Sequence, residues 1–71
     1  MPPVLAEKIE KRLNALDKAT SPEDMNLPGY RLRELTGDRR GEWSIRVSEY
    51  WRIVFRFRGG EPVAVDLFDY H

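Results

Sequence analysis

The chain contains no cysteine, so neither a disulfide nor a thiolate-bound metal can reinforce it. Its single histidine is the last residue, which leaves a transition-metal site short of ligands, and none is expected. No apolar run approaches the length of a membrane span, and Met1-Pro2-Pro3-Val4-Leu5 is followed at once by charged residues. The expectation is no signal peptide, no membrane contact and a cytoplasmic location. Lysine is missing from residues 26–60, where eight arginines face only Glu34, Asp38, Glu42 and Glu49, a net charge of +4. Residues 1–25 carry four basic and five acidic groups, and residues 61–71 carry Glu61, Asp66 and Asp69 with nothing basic. A neutral protein with a basic middle has either a local anion-binding face or a solvated sheet face whose arginines pair with nearby carboxylates.

Seventy-one residues allow a single domain, spanning 1–71. A domain of that size buries only about 60% of the surface its unfolded chain exposes, so the aromatic residues must supply much of the core.

Val4, Leu5, Ile9, Leu13 and Leu16 recur at steps of three and four, which predicts a helix from Pro3 to Lys18. Proline suits its first turn, and Lys8, Lys11, Arg12 and Lys18 are expected on its solvated side. Ser21-Pro22-Glu23-Asp24 reads as a serine cap followed by a short helical turn. Tyr30 to Leu35 reads as a first strand and Thr36 to Gly41 as a loop. Three alternating stretches follow: Trp43 to Val47, Trp51 to Phe57 and Val63 to Phe68. The fold class is therefore α+β, an N-terminal helix packed on a small antiparallel sheet of three to four strands.

Parity restricts the pairing, because a one-residue slip moves every side chain to the other face. Ile45 and Ile53 share a face only if an odd loop joins their strands, and Ser48-Glu49-Tyr50 satisfies this. Arg46 then lies opposite Arg52, an unfavourable cross-strand pair unless Asp66 or a bound anion lies between them. Arg58-Gly59-Gly60-Glu61 reads as the turn of the second hairpin, and centring it on Gly60 puts Phe55 opposite Val65, Val54 opposite Asp66 and Arg52 opposite Phe68, with Tyr70 on the arginine face. Strict parity puts His71 on the core face unless the chain leaves the strand after Phe68. Trp43 and Trp51 alternate onto the apolar face and belong to the core.

Four stretches together resemble the HigB-type killer toxins of bacterial plasmid-maintenance systems, within the RelE superfamily. They are Leu13 to Gly29, Gly41-Glu42-Trp43-Ser44-Ile45-Arg46-Val47, Trp51-Arg52-Ile53-Val54-Phe55-Arg56-Phe57, and Val65-Asp66-Leu67-Phe68-Asp69-Tyr70-His71. The resemblance implies a RelE-like domain and a toxin that cuts messenger RNA in the ribosomal A site, without a cofactor or metal. It also implies a helix-turn-helix antitoxin partner, with operator DNA contacted only through that complex. By the family pattern His71 serves in acid/base transfer, aided by Tyr70, while Arg52 steadies the scissile phosphate. Arg33, Arg39, Arg40, Arg46 and Arg56 are the expected RNA contacts.

The pattern has departures. Family members usually begin with a strand and a helix ahead of the point where this chain starts, so a shortened front is expected, with a sheet edge open to oligomerisation. The first strand and loop commonly read Leu-His-x-Leu-Lys-Gly, where this chain has Arg33 and Thr36. A second reading follows from these, an inactive toxin remnant that binds its antitoxin and modulates operon repression. A third is a generic RNA-binding module.

Overall fold

The computed structural model describes residues 2–69, with Tyr70 and His71 outside that range. Helix α1 runs Pro3–Lys18, and strands β1 (Arg33–Glu34), β2 (Trp43–Arg46), β3 (Trp51–Arg58) and β4 (Glu61–Asp69) form one antiparallel sheet in the order β1-β2-β3-β4. Short 3-10 turns at Pro22–Met25 and Gly37–Arg39 connect them. The α+β architecture is the expected one.

Helix α1 has the expected bounds, with proline in its first turn and Lys18 at the end where the helix dipole favours a cation. Its apolar stripe is narrower than expected. Leu16 is buried, Leu5 and Ile9 are half-buried, but Val4 and Leu13 are 64% and 40% exposed. At 3.6 residues per turn, Leu5 and Ile9 lie within about 20° of Leu16, whereas Leu13 is about 60° away and Val4 about 120°. Arg12, about 40° from Leu16, takes the place beside them. It is not on the solvated side as its neighbours are. Its guanidinium carbon lies 4.4 Å from the centroid of the Tyr30 ring, and its Nε donates to the Arg46 carbonyl at 2.7 Å. The long side chain thus packs its stem against the domain while its head ties α1 to the end of β2.

Beyond the helix the chain adds Ala19 and Met25 to the core. Ser21 stands at the cap position of the following turn, but its side chain makes no cap hydrogen bond among the described residues. The turn is closed the other way round. The backbone N–H and hydroxyl of Thr20 donate to Asp24 Oδ2 at 3.0 and 3.2 Å. These bonds, the backbone one foremost, hold the Asp24 carboxyl below its ordinary range.

The first strand is two residues rather than six. Tyr30 closes a turn by donating its N–H to Leu27, and Arg31 adopts a left-handed φ of 49°, so regular pairing cannot begin until Arg33. Pairing contacts persist around it, since Arg46 N–H donates to the Tyr30 carbonyl and Leu35 N–H to Glu42.

The β2–β3 register is as parity requires: Ile45 faces Ile53 and Arg46 faces Arg52, with Val47 and Ser48 N–H both donating to the Trp51 carbonyl. The β3–β4 hairpin turns at Arg58-Gly59-Gly60-Glu61 as expected, but its centre is not Gly60. Its turn is the two-residue Gly59-Gly60, both at positive φ (60° and 80°), which pairs Arg58 with Glu61 and Arg56 with Val63. A bulge then restores the anticipated pairing, Val54 with Asp66 and Arg52 with Phe68. The extra residue falls at Ala64 and Val65, and Ala64 carries it at a φ of 51°, strained for a residue with a Cβ. Val63 therefore moves to the arginine face, and Val65 is left 44% exposed at the rim of an open groove with Ile9 and Leu13.

The core lies between α1 and one face of the sheet, built on Leu16, Met25, Ile45, Val47, Ile53 and Phe55. Trp43 and Trp51 pack against it half-buried.

The outer edge of β4 is partly closed. Val47 N–H donates to the Trp51 carbonyl, so odd-numbered residues of β3 direct their backbone groups to β2 and even-numbered ones to β4. Leu67, opposite Ile53, consequently points its N–H outward, and Asp66 Oδ1 accepts it at 2.8 Å. A self-capped donor, a carboxylate and a bulge together blunt an edge against strand addition. Asp66→Val removes two of these devices. It should produce stronger concentration-dependent association in light scattering than the parent chain shows.

Candidate active site

The sheet face away from α1 carries the arginines. Four rows run across it: Arg46, Arg52 and Phe68; Arg33, Ser44, Val54 and Asp66; Arg56 with Val63; and Arg58 with Glu61. Ser44 and Val54 belong to this face, yet each is only 1% exposed. The loop between β1 and β2 lies over part of this face. Arg39, from that loop, reaches across to Phe68 on β4, its guanidinium carbon 4.9 Å from the ring centroid. Gly41 passes so close to the Arg56 guanidinium that a Cβ there would sit 3.3 Å from Nη1, at a φ of 94°.

Glu42 organises the covered region. Arg39 donates to it twice, Nε to Oε2 at 2.7 Å and Nη2 to Oε1 at 3.2 Å, in the two-pronged geometry that matches guanidinium to carboxylate. Arg56 Nη2 lies 3.8 Å from the same Oε2. The Arg39 hydrogen bond is the main reason the Glu42 carboxyl sits below its ordinary value of 4.5; burial opposes it, and the charges of Arg39 and Arg56 add to it. A carboxyl whose folded pKa is depressed contributes stability fully above its unfolded value and loses it as pH falls through the folded one. Thermal stability should thus decline as pH drops below 4.5, and Glu42→Gln should flatten that part of the pH–stability curve.

The two facing arginines diverge. Arg46 is half-buried and turns its Nε back to the Ser48 carbonyl at 3.2 Å. Arg52, also half-buried, donates Nη1 to Ser44 Oγ at 3.2 Å, which leaves a buried hydroxyl satisfied and the guanidinium anchored. Asp66 does not provide the expected compensation for this pair: among the described residues it forms no ion pair with either arginine, and its Oδ1 accepts from the Leu67 N–H. Each head is held by its own hydrogen bond, Arg46 to the Ser48 carbonyl and Arg52 to the Ser44 hydroxyl.

The candidates are thus unequally gathered. Arg39, Arg52 and Arg56 come together around Glu42, Ser44 and Phe68. Arg33 shares the face but is exposed on the edge strand, opposite Ser44. Arg40 points elsewhere, lining a shallow recess with Glu34, Leu35 and Thr36. Strand β4 does not end at Phe68 but continues through Asp69, which pairs with Trp51. Tyr70 and His71 lie outside the described residues. Among the described residues, no group of three or more histidine or acidic side chains gathers where it could hold a metal ion. Glu42 was not singled out from the sequence; the available signal was its place three residues after Arg39 in a glycine-bracketed turn.

Such a face suits anions. Arginine stays charged and grips phosphate with parallel hydrogen bonds, and partial burial strengthens that grip by limiting screening.

The whole chain, residues 1–71, matches the family model of the RelE-like toxin of the type II toxin–antitoxin system HigB. The chain is 43% identical over 65 residues to the endoribonuclease HigB of Proteus vulgaris, covering 92% of itself and 71% of that relative. It is 31% identical over 61 residues to toxin HigB-1 of Vibrio cholerae serotype O1, covering 84% of itself and 64% of that relative.

Proposed function

Because the chain belongs to the HigB-like family of RelE-like toxins from type II toxin–antitoxin systems, we propose that its arginine face cuts messenger RNA in the ribosomal A site. The protein is an endoribonuclease toxin, with RNA as substrate and an antitoxin as partner. The finer reading concerns where and how it cuts.

The observation that carries the reading is Arg52, fixed by Ser44 at the centre of the face with Arg39 and Arg56 to one side. In the proposed reaction the 2′-hydroxyl of the substrate attacks the adjacent phosphorus. The new bond closes a 2′,3′-cyclic phosphate as the P–O5′ bond breaks. A proton leaves the 2′-oxygen and one is delivered to the 5′-oxygen, giving a free 5′-hydroxyl. The electrons stay within the substrate, so the protein must supply only proton transfer and charge stabilisation. His71, with Tyr70 beside it, is assigned the proton transfer, since imidazole both accepts and donates near neutral pH. Arg52 is assigned the phosphate oxygens, on which negative charge grows in the transition state. Arg33, Arg39, Arg40, Arg46 and Arg56 are assigned to flanking backbone, where contacts add affinity without reading sequence.

The partners proposed with this reading are the translating ribosome and a helix-turn-helix antitoxin, through which alone operator DNA is contacted. An oligomer formed through the β4 edge would have to displace Asp66 from the Leu67 N–H. Thr36 and Arg33 stand where the family pattern has a lysine and a histidine, which makes the protein's own activity the first thing to measure. Primer extension on a message translated by purified ribosomes should reveal cuts in the A-site codon, with 5′-hydroxyl ends downstream. A folded chain that makes no cuts, yet binds its antitoxin, would replace this reading with the silent remnant that modulates repression.

A further inference from the structure

Glu42 presents a puzzle of sign. A half-buried carboxylate on a face that binds RNA repels the substrate, and removing it would ordinarily tighten binding. Its contacts point the other way. It holds Arg39 by two hydrogen bonds of 2.7 and 3.2 Å, draws Arg56 to 3.8 Å, and its own side chain is only 16% exposed. Its backbone is fixed as well, since Glu42 N–H donates to the Arg39 carbonyl and its carbonyl accepts from Leu35. Arg39 and Arg40 stem from the β1–β2 loop and Arg56 from the far half of β3. Glu42 gives two of the three a common anchor.

From this geometry we propose that Glu42 is a positioning residue of the ribonuclease: it presets the Arg39 and Arg56 guanidinium groups as a paired grip for the RNA phosphates beside the one Arg52 holds. The inference rests on the nuclease reading above. Two arginine side chains free to rotate lose rotamer entropy when they bind; two already held by a carboxylate do not. The Phe68 ring under Arg39 adds a second wall to the same setting. Gly41 belongs to the device, because a side chain there would meet the Arg56 head at 3.3 Å.

The sign of the effect makes the proposal testable. Glu42→Gln preserves the side-chain size and removes one negative charge from the face. If Glu42 acts only as a charge, RNA binding tightens. If it positions the arginines, binding weakens, by about tenfold for the loss of a preorganised pair. Affinity is read by fluorescence anisotropy with a 2′-O-methyl RNA oligonucleotide, which presents phosphates and cannot be cleaved through its 2′-oxygen. In cleavage of ribosome-bound message the loss should appear in KM, because flanking phosphates are held alike in ground and transition states. A double-mutant cycle separates positioning from general damage: in an Arg39→Ala background, Glu42→Gln should cost much less than it does alone.

Unchanged or tighter binding by Glu42→Gln, or equal losses in both backgrounds, overturns the proposal. Should Glu42→Gln melt well below the parent, Arg39→Lys carries the test, since lysine keeps the charge but cannot make the two-pronged contact. The same rise in the dissociation constant is then expected, and an unchanged constant rejects the idea. Failure of the nuclease reading looks different, as parent chain that binds the oligonucleotide but cuts no message.

Discussion

Arg52→Ala should slow RNA cleavage by roughly 100- to 1000-fold while leaving the fold nearly as stable as before. The first magnitude is that of deleting one preorganised donor aimed at developing negative charge, about 3–4 kcal/mol of transition-state stabilisation. The second follows from two opposed local terms. Removing the guanidinium strands the buried Ser44 hydroxyl, which loses its partner at a cost of about 1 kcal/mol. It also relieves the like-charge contact with Arg46 directly across the strand pair, worth a few tenths to about 1 kcal/mol in the other direction. The melting temperature should therefore move by less than about 8 °C, the shift expected for 1 kcal/mol in a domain of this size. Single-turnover cleavage and a thermal melt on the same preparation decide the matter. Arg52→Lys should recover about tenfold of the lost rate, since it restores charge without the fork that spans two phosphate oxygens. A mutant that cuts at the parental rate would remove Arg52 from the reaction.

The same pair of residues shows what the sequence could and could not say. That Arg46 faces Arg52 follows from counting, because Ile45 and Ile53 must share the buried side and the loop between them is three residues long. What each arginine then touches does not follow, since that depends on Ser44 and on the Ser48 carbonyl, which parity places but does not orient. The second hairpin illustrates a subtler limit. Counting through Gly60 gave the right partners for Arg52 and Val54, but the chain arrives there by a tighter glycine turn compensated by a bulge at Ala64. Two deviations cancelled, and only the segment between them, Val63 included, changed face. Arg12 and Glu42 were obscure for a common reason. Each is a charged side chain whose role comes from a partner distant in the fold or from loop geometry, and helical periodicity reads Arg12 merely as polar.

Phe55→Ala should remove about 3–5 kcal/mol of folding stability, the usual cost of emptying an aromatic site in a core. Phe55 is completely buried on β3, opposite Trp43, and its ring meets that of Phe57 edge-on at 5.8 Å. That contact adds to the cost beyond area alone, by about 0.5–1.5 kcal/mol. Domains of this length have roughly 4–11 kcal/mol to lose, at about 0.05–0.15 kcal/mol per residue. The variant should accordingly forfeit a third or more of its stability and lie close to half-unfolded if the parent is at the low end. Relaxation has little room to reduce this, because the bulge at Ala64 and the paired strands on both sides hold the backbone around the cavity. Urea titration monitored by tryptophan fluorescence measures it, Trp43 and Trp51 both packing on the same core. A loss below about 1.5 kcal/mol would show that α1 collapses into the space, and would make the helix a softer lid on this sheet than its buried Leu16 indicates. The functional consequence is distinct from that of Arg52→Ala. Phe55 lies on the strand that carries Arg52 and Arg56 on its other side, so activity should fall only in proportion to the unfolded fraction and return when the variant is cooled.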